Sequence, residues 1–324
     1  MRLTRSFSWL SILALSAACE GGISGEGLTA GEGASLVCNP NVHPIILHHG
    51  FSGGDGVSAA GYFNGVADHL RNQGEIVFEA AVAPFQSSEF RGAQLSGIVE
   101  DVLAETNACK VNIIAHSQGG LDARHMISSL GYGNSVSALV TISTPHRGTA
   151  LADLALGFTN GLTEPLINSI LDWLKVDDTE AANNPDIGEA LFTLSEAHAP
   201  TFNAENPDDP RVQYYSIAGR SLFATANSAC AGGLWGNNSS VDSPDLQLSV
   251  SGTFLLGSIL PWRMKANDGV VTVASARWGI FLGCVPADHS DETNKFGGFG
   301  DKSSGFDALG MYDRIVDLFH SQGF

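Results

Sequence analysis

Two periodicities alternate along this chain. Short, nearly all-apolar runs read as buried strands: one from Pro44 that ends at the His49-Gly50 turn, then Ile76 to Phe78, Val111 to Ala115, Ala138 to Ile142 and Gln213 to Ile217. Between them, apolar residues recur every three or four positions, and helices are expected over Ala59 to Asn72, Glu89 to Glu105, Gly119 to Leu130 and Phe306 to His320. In the second of these, Ile98, Val99, Val102 and Leu103 share one face, and Asn107 marks the end. Helices alternating with apolar strands predict an α/β fold with a mostly parallel, doubly wound sheet. At 324 residues and 44% hydrophobic, the chain can bury one large core. It shows no internal repeat, so residues 37–324 read as a single catalytic-size domain.

The strand from Val111 runs into Ala115-His116-Ser117-Gln118-Gly119-Gly120, where a helix begins. A serine on a sharp strand-to-helix turn lifts its hydroxyl clear of the sheet, and the strain demands small neighbours, which Ala115 and Gly119 supply. Such a nucleophile needs a base, an acid that orients the base, and donors for the developing oxyanion. Asp268, in Asn267-Asp268-Gly269 ahead of a β-branched run, suits a carboxylate on a turn at a strand end; His289 lies in a polar loop with little apolar periodicity. Alone, the first could be a turn-former and the second a solvated loop residue. Their order after Ser117, acid and then histidine, is that of the α/β-hydrolases, and assigns Ser117 as nucleophile, His289 as base and Asp268 as orienting acid. In that fold a backbone N–H after the early strand joins the N–H after the nucleophile around the oxyanion, which points to Phe51 and Gln118. His49 reads as a brace for that loop.

The chain resembles the secreted bacterial triacylglycerol lipases of the α/β-hydrolase fold. The resemblance rests on Pro44 to Phe51, Ala115 to Gly120, Thr144-Pro145-His146-Arg147-Gly148, Phe202-Asn203-Ala204, Asn267-Asp268-Gly269 and His289 to Phe296, in this order over nearly the whole mature chain. It implies a serine ester hydrolase that works through an acyl-enzyme, a helical lid inserted at about residues 150–200, and a dedicated folding chaperone as a partner. His146 is then a structural contact. Within the lid region Thr163 caps a stretch with Pro165 near its start, and Leu162, Leu166, Ile167, Ile170, Leu171 and Leu174 recur at helical spacing. Such a face would cover an acyl pocket and meet a lipid–water interface.

With 34 acidic against 16 basic residues, the net charge of −18 argues against nucleic acid and anionic lipid surfaces as partners. A neutral lipid ester or another hydrophobic ester fits better. A polyester depolymerase or short-chain carboxylesterase with the same triad is the nearest rival. A non-catalytic binding module usually lacks a triad member, and none is missing here.

Arg2 and Arg5 precede an apolar stretch from Trp9 to Leu15 and then Ser16-Ala17-Ala18, the pattern of a signal peptide over residues 1–18 and so of an exported protein. Cleavage after Ala18 would release a secreted chain. Alternatively, Cys19 becomes the lipidated first residue of a surface lipoprotein, with the Gly-rich residues 19–36 as tether. The remaining four cysteines suit an oxidising compartment. In the resembling fold the strands after Cys38 and Cys109 are parallel neighbours, which implies Cys38–Cys109 and leaves Cys230–Cys284. The resemblance also implies one structural calcium, held here by Asp291 and Asp242, with Asp245 as a competitor. No organic cofactor is implied. Where the family offers an amide oxygen this chain has Lys295, which has no lone pair to donate and could itself replace the ion.

Overall fold

A computed structural model describes residues 37–51, 59–157, 185–221, 227–236, 265–294 and 305–324. Met1–Val37 and Cys38–Phe324 separate as two units, and all the elements named here belong to the second. In chain order they are β1 (Ile45–His48), α1 (Ala59–Tyr62), α2 (Val66–Asn72), β2 (Val77–Ala80), α3 (Ser88–Thr106), β3 (Val111–His116), α4 (Gly119–Ser128), β4 (Val136–Ile142), α5 (Ala150–Ala155), α6 (Pro185–Thr193), α7 (Ala199–Glu205), β5 (Gln213–Gly219), α8 (Val273–Ala276), β6 (Ile280–Val285) and α9 (Ala308–Gln322).

The strands form one sheet in the order β2-β1-β3-β4-β5-β6, and every pairing among them is parallel. Every residue of β1, β3 and β4 is buried, as expected for strands covered on both faces. Successive residues serve opposite faces. Ile46, Ile113 and Leu139 pack with Leu95, Val99, Met126 and Ile127 of α3 and α4. Leu47, Ile114 and Val140 pack on the other side with Phe63, Leu70, Tyr312, Ile315 and Phe319 from α2, α9 and the segment before α2. A third cluster, with Phe51, Phe85, Leu121, Leu154, Ile187, Phe202 and Val270, includes the first residue after the early strand's His-Gly turn and two residues of α5 and α6.

Local signals account for several boundaries. Ser87 caps α3 by accepting from the Phe90 N–H at 3.3 Å, and Asn107 closes that helix in the left-handed region at φ 53°. The helix expected over Ala59 to Asn72 is two helices. Gly65, at φ 71°, breaks it, a conformation that costs a glycine little. The break was hidden because Phe63, Val66 and Leu70 keep their apolar spacing across it. The sequence pattern also missed β6, whose edges and interior carry Gly279 and Gly283 in place of β-branched residues. Gly283 gives room for a neighbouring segment: a Cβ on Gly233 would lie 2.6 Å from its Cα.

Cys38 is disulfide-bonded to Cys109, beside the parallel bridge of Asn39 with Ala108. Cys230 is bonded to Cys284 and ties the turn Asn227–Cys230 to β6. Residues 1–36, with the signal segment and Cys19, lie outside the described residues, as does the apolar stripe from Leu162 to Leu174. Among the described residues no helix is long and apolar enough to cross a membrane.

Candidate active site

Ser117 stands between β3 and α4 with φ at 56°, a left-handed conformation rare for a residue with a side chain. The turn is pinned to the sheet, since the Ser117 N–H donates to the Ile142 carbonyl at 2.9 Å. The small neighbours are required by contact. A Cβ on Gly119 would sit 2.7 Å from the His49 carbonyl oxygen, and one on Gly120 would run into Thr144.

Two loops bring the other groups. Asp268 follows Asn267, which bridges to Thr272, and its Oδ1 accepts the N–H groups of Val270 at 2.8 Å and Val271 at 2.7 Å. Those two bonds aim Oδ2 at His289, whose Nδ1–H donates to it at 2.7 Å. The same loops are tied along the backbone, His289 N–H to the Asp268 carbonyl at 3.0 Å. On the far side of the ring, the Ser117 hydroxyl donates to His289 Nε2 at 3.0 Å. Asp268 and His289 are buried, and Ser117 retains 8% of its surface. Ser117, His289 and Asp268 are thus brought into one hydrogen-bonded line.

Gly50 lies against the serine: a Cβ there would fall 2.7 Å from Ser117 Cβ and 3.2 Å from its Oγ. Phe51, the next residue, anchors this loop through its ring, edge-on to Phe85 at 5.2 Å. Gln118 follows the serine directly and donates from its side chain to the Gln86 carbonyl at 2.8 Å. The loop before Phe51 is held from below by Arg91. This fully buried side chain donates to Asp122 at 2.7 Å and to the carbonyls of His49 at 2.7 Å and Gly50 at 3.0 Å. His48 also donates to Asp122, at 2.9 Å. Burial works against the Asp122 charge, but the Arg91 guanidinium and the His48 bond hold its carboxyl below the ordinary range. His49 is fixed as a neutral ring, with Nδ1–H donating to the Gly50 carbonyl at 2.9 Å and Nε2 accepting the Val82 N–H at 3.2 Å. His146, in the Thr-Pro-His-Arg-Gly segment, is buried. It bonds Thr141 at 3.0 Å and stacks on Trp278, away from Ser117's base.

Sequence reasoning missed one carboxylate. Glu292 is fully buried. It accepts from His116 Nε2–H at 3.0 Å and from the Ser143 hydroxyl at 2.6 Å, and an oxygen lies 4.0 Å from His289 Nδ1. Burial and then the Asp268 charge push its carboxyl well above the ordinary range, with the Ser143 bond opposing them. The one signal for it was its place three residues after His289.

His116, His289 and Glu292 offer ligand atoms within 4.8 Å of one another and could hold a metal ion. Imidazole nitrogens suit a transition metal better than calcium, which takes oxygen. In the protein these same nitrogens are engaged by Tyr62, Glu292, Asp268 and Ser117. Of the residues expected at a calcium site, Asp291 opens the turn Asp291–Thr293 with its side chain half-buried, while Asp242, Asp245 and Lys295 lie outside the described residues.

Comparison with known proteins agrees with this geometry. The profile of the palmitoyl protein thioesterase family matches residues 44–178. The chain is 34% identical over 174 residues to a triacylglycerol lipase of Pseudarthrobacter phenanthrenivorans and to one of Burkholderia plantarii. Each match takes in 51% of this chain, and 54% and 48% of the two lipases, so the chain spans about half the length of these curated relatives. The fold superposes on a lipase of Bacillus licheniformis in its mature form with a TM-score of 0.59 and 21% identity, over 82% of this chain and 92% of that one. The chain has an α/β-hydrolase fold, and about half of it is related in sequence to bacterial lipases.

Proposed function

We propose that the protein is a carboxylic-ester hydrolase of neutral lipids, a triacylglycerol lipase, acting through an acyl-enzyme on Ser117. The observation that carries this reading is the buried line from Ser117 Oγ through the His289 ring to Asp268, at 3.0 and 2.7 Å. Oγ attacks the ester carbonyl while His289 Nε2 takes its proton, and the N–H groups of Phe51 and Gln118 donate to the oxyanion. Collapse breaks the bond to the alkoxide, which leaves with the proton from His289. Water, deprotonated by the same nitrogen, then releases the fatty acid. Asp268 keeps the ring in the tautomer with hydrogen on Nδ1 and stabilises the imidazolium. The apolar cluster that includes Phe51, Leu121 and Val270, and the acidic net charge, favour an uncharged, hydrophobic ester. The test compares rates on emulsified long-chain triglyceride and on dissolved short-chain esters. High activity on the emulsion is expected; activity confined to the dissolved esters would replace the lipase by a short-chain esterase.

A second reading has its own support. The thioesterase profile covers the oxyanion loop and the serine turn, and both readings share a fatty acyl group. A palmitoyl thioester cleaved faster than the triglyceride would favour it.

The same reading carries a calcium ion held by Asp291 and Asp242, whose carboxylates are hard donors suited to it. Chelation then lowers the melting temperature, and an unchanged melting curve would leave Lys295 as the substitute charge. Two internal disulfides support export to an oxidising compartment. The mass of the mature N-terminus distinguishes cleavage after Ala18 from acylation of Cys19.

A further inference from the structure

Acyl transfer by Ser117, His289 and Asp268 makes no use of the polar chain buried beside them. The Tyr62 hydroxyl donates to His116 Nδ1 at 2.7 Å, and His116 Nε2–H donates to Glu292 Oε2 at 3.0 Å. The Ser143 hydroxyl donates to Glu292 Oε1 at 2.6 Å and itself accepts the Gly219 N–H at 3.0 Å. One tautomer of His116 satisfies every link. The chain crosses five separate segments: the end of α1, the residue just before Ser117, the turn after β4, the end of β5 and the loop of His289.

Both ends touch the catalytic geometry. A Cβ on Gly50, the residue before Phe51, would lie 2.7 Å from the Tyr62 hydroxyl and 2.7 Å from Ser117 Cβ, so the phenol and the serine enclose the oxyanion loop. At the other end, Glu292 sits one helical turn past His289, and the His116 and His289 rings are 4.4 Å apart. Two further bonds fasten the same pieces, Asn294 Nδ2–H to the Asn64 carbonyl at 2.7 Å and the Tyr312 hydroxyl to the Glu292 carbonyl at 3.0 Å.

We propose that Tyr62, His116 and Glu292 form a strut that sets the distance between the oxyanion loop and the histidine loop, with Tyr62 as its positioning residue. The proposal rests on the hydrolytic reading of Ser117. A buried chain of this kind works as a unit, because cutting any link leaves a neighbouring polar atom unsatisfied and frees it to turn. Acyl transfer is sensitive to such movement, since the oxyanion donors and His289 must hold their places relative to Oγ to within a fraction of an ångström. The strut acts on the placement of the reacting groups, so the loss is expected to fall on turnover.

The test is a double-mutant cycle with Tyr62→Phe and Glu292→Gln, assayed on a dissolved short-chain ester. Each single variant is expected to lower kcat about tenfold with KM within about twofold, and the double variant to be no worse than the poorer single. Ser143→Ala cuts the same chain at its far end and serves in place of Glu292→Gln should that variant not fold. Wild-type kcat in Tyr62→Phe, a loss confined to KM, or a double variant down by the product of the two singles would each overturn the strut. Ser117→Ala is run beside them. Turnover surviving in Ser117→Ala sinks the hydrolytic reading itself, whereas an inactive Ser117→Ala with an unaffected Tyr62→Phe sinks the strut alone.

Discussion

The serine turn and the histidine loop carry two halves of one site, yet they are held by different means. The turn is fixed through its backbone by the segments packed tightly around it. Ser117 bonds to the adjacent strand through its backbone, Gly119 and Gly120 admit the close approach of the His49 carbonyl and Thr144, and the whole turn spans a few residues between β3 and α4. The histidine loop is capped locally by Asp288, whose Oδ1 accepts the Ser290 and Asp291 N–H groups at 2.8 and 2.9 Å, but it also needs partners from several other elements. From Asp288 to Thr293 only a three-residue turn is regular, yet Asp288, His289, Ser290, Glu292 and Thr293 are all buried. Its long-range hydrogen bonds reach the side chains of Asp268, Ser143, His116 and Tyr312 and the Asn64 backbone carbonyl. A strained nucleophile needs a rigid local frame, whereas a base that shuttles protons needs to be held in register with several elements at once.

The largest effect separates chemistry from frame on the turn. Ser117→Ala removes one oxygen from a site whose backbone bond to Ile142 stays in place. Loss of at least about 10⁴ in kcat is expected, because the nucleophile and base act as a unit, with little change in stability. A melting temperature that fell with the activity would mean that the serine side chain also holds the turn, and the contrast with the histidine loop would weaken.

The next effect is on the loop's anchorage. Cys284 lies in β6, five residues before His289, and its bond to Cys230 closes a separation of 54 residues. Replacing both cysteines by serine is expected to cost about 4 kcal/mol of stability on the loop-entropy account. The comparison is sharpened by replacing Cys38 and Cys109 in the same way. That bridge, next to the Asn39–Ala108 pairing, stands before β1 and β3, at the end of the sheet away from the serine. Both pairs should lower the melting temperature, but the pair near His289 should also lower kcat at temperatures well below melting. Equal effects on kcat would show that the histidine loop does not depend on β6 for its position.

The same contrast explains what could be read from the amino-acid order. The turn at Ser117 was legible because its constraint is local: small residues beside a serine at the end of an apolar run have few other reasons to occur together. The helix pattern over Glu89 to Glu105 was legible for the same reason, down to Asn107. The histidine loop, read as polar and irregular, is irregular but buried. The partners around it come from the turn after β4, α9 and the segment around Tyr62, and no local pattern announces them. Glu292 is the clearest case, since its main partner Ser143 lies 149 residues away. Gly65 shows the opposite failure, a break that a continuous apolar stripe concealed.

The smallest effect tests the serine side by pH. His49 directly precedes the loop of Gly50 and Phe51, and burial first, then the Arg91 charge, push its pKa down to about 3. Its geometry says why the neutral ring is needed, since Nε2 accepts the Val82 N–H and has no room for a proton of its own. A group whose pKa falls on folding stabilises the fold fully above its unfolded value of about 6.5, and the stabilisation drains away as pH drops from there towards about 3. Between pH 7 and pH 5 this one residue should account for a loss of about 2 kcal/mol, at 1.36 kcal/mol per unit below about 6.5. His49→Gln does not titrate, and it is expected to show a shallower fall in melting temperature over that range than the wild type. His48 and His146, also buried with lowered pKa values, remain in both proteins, so the difference between the two slopes belongs to His49. Identical slopes would mean that the loop of Gly50 and Phe51 tolerates a charged ring, and that the serine side is as dependent on distant partners as the histidine loop.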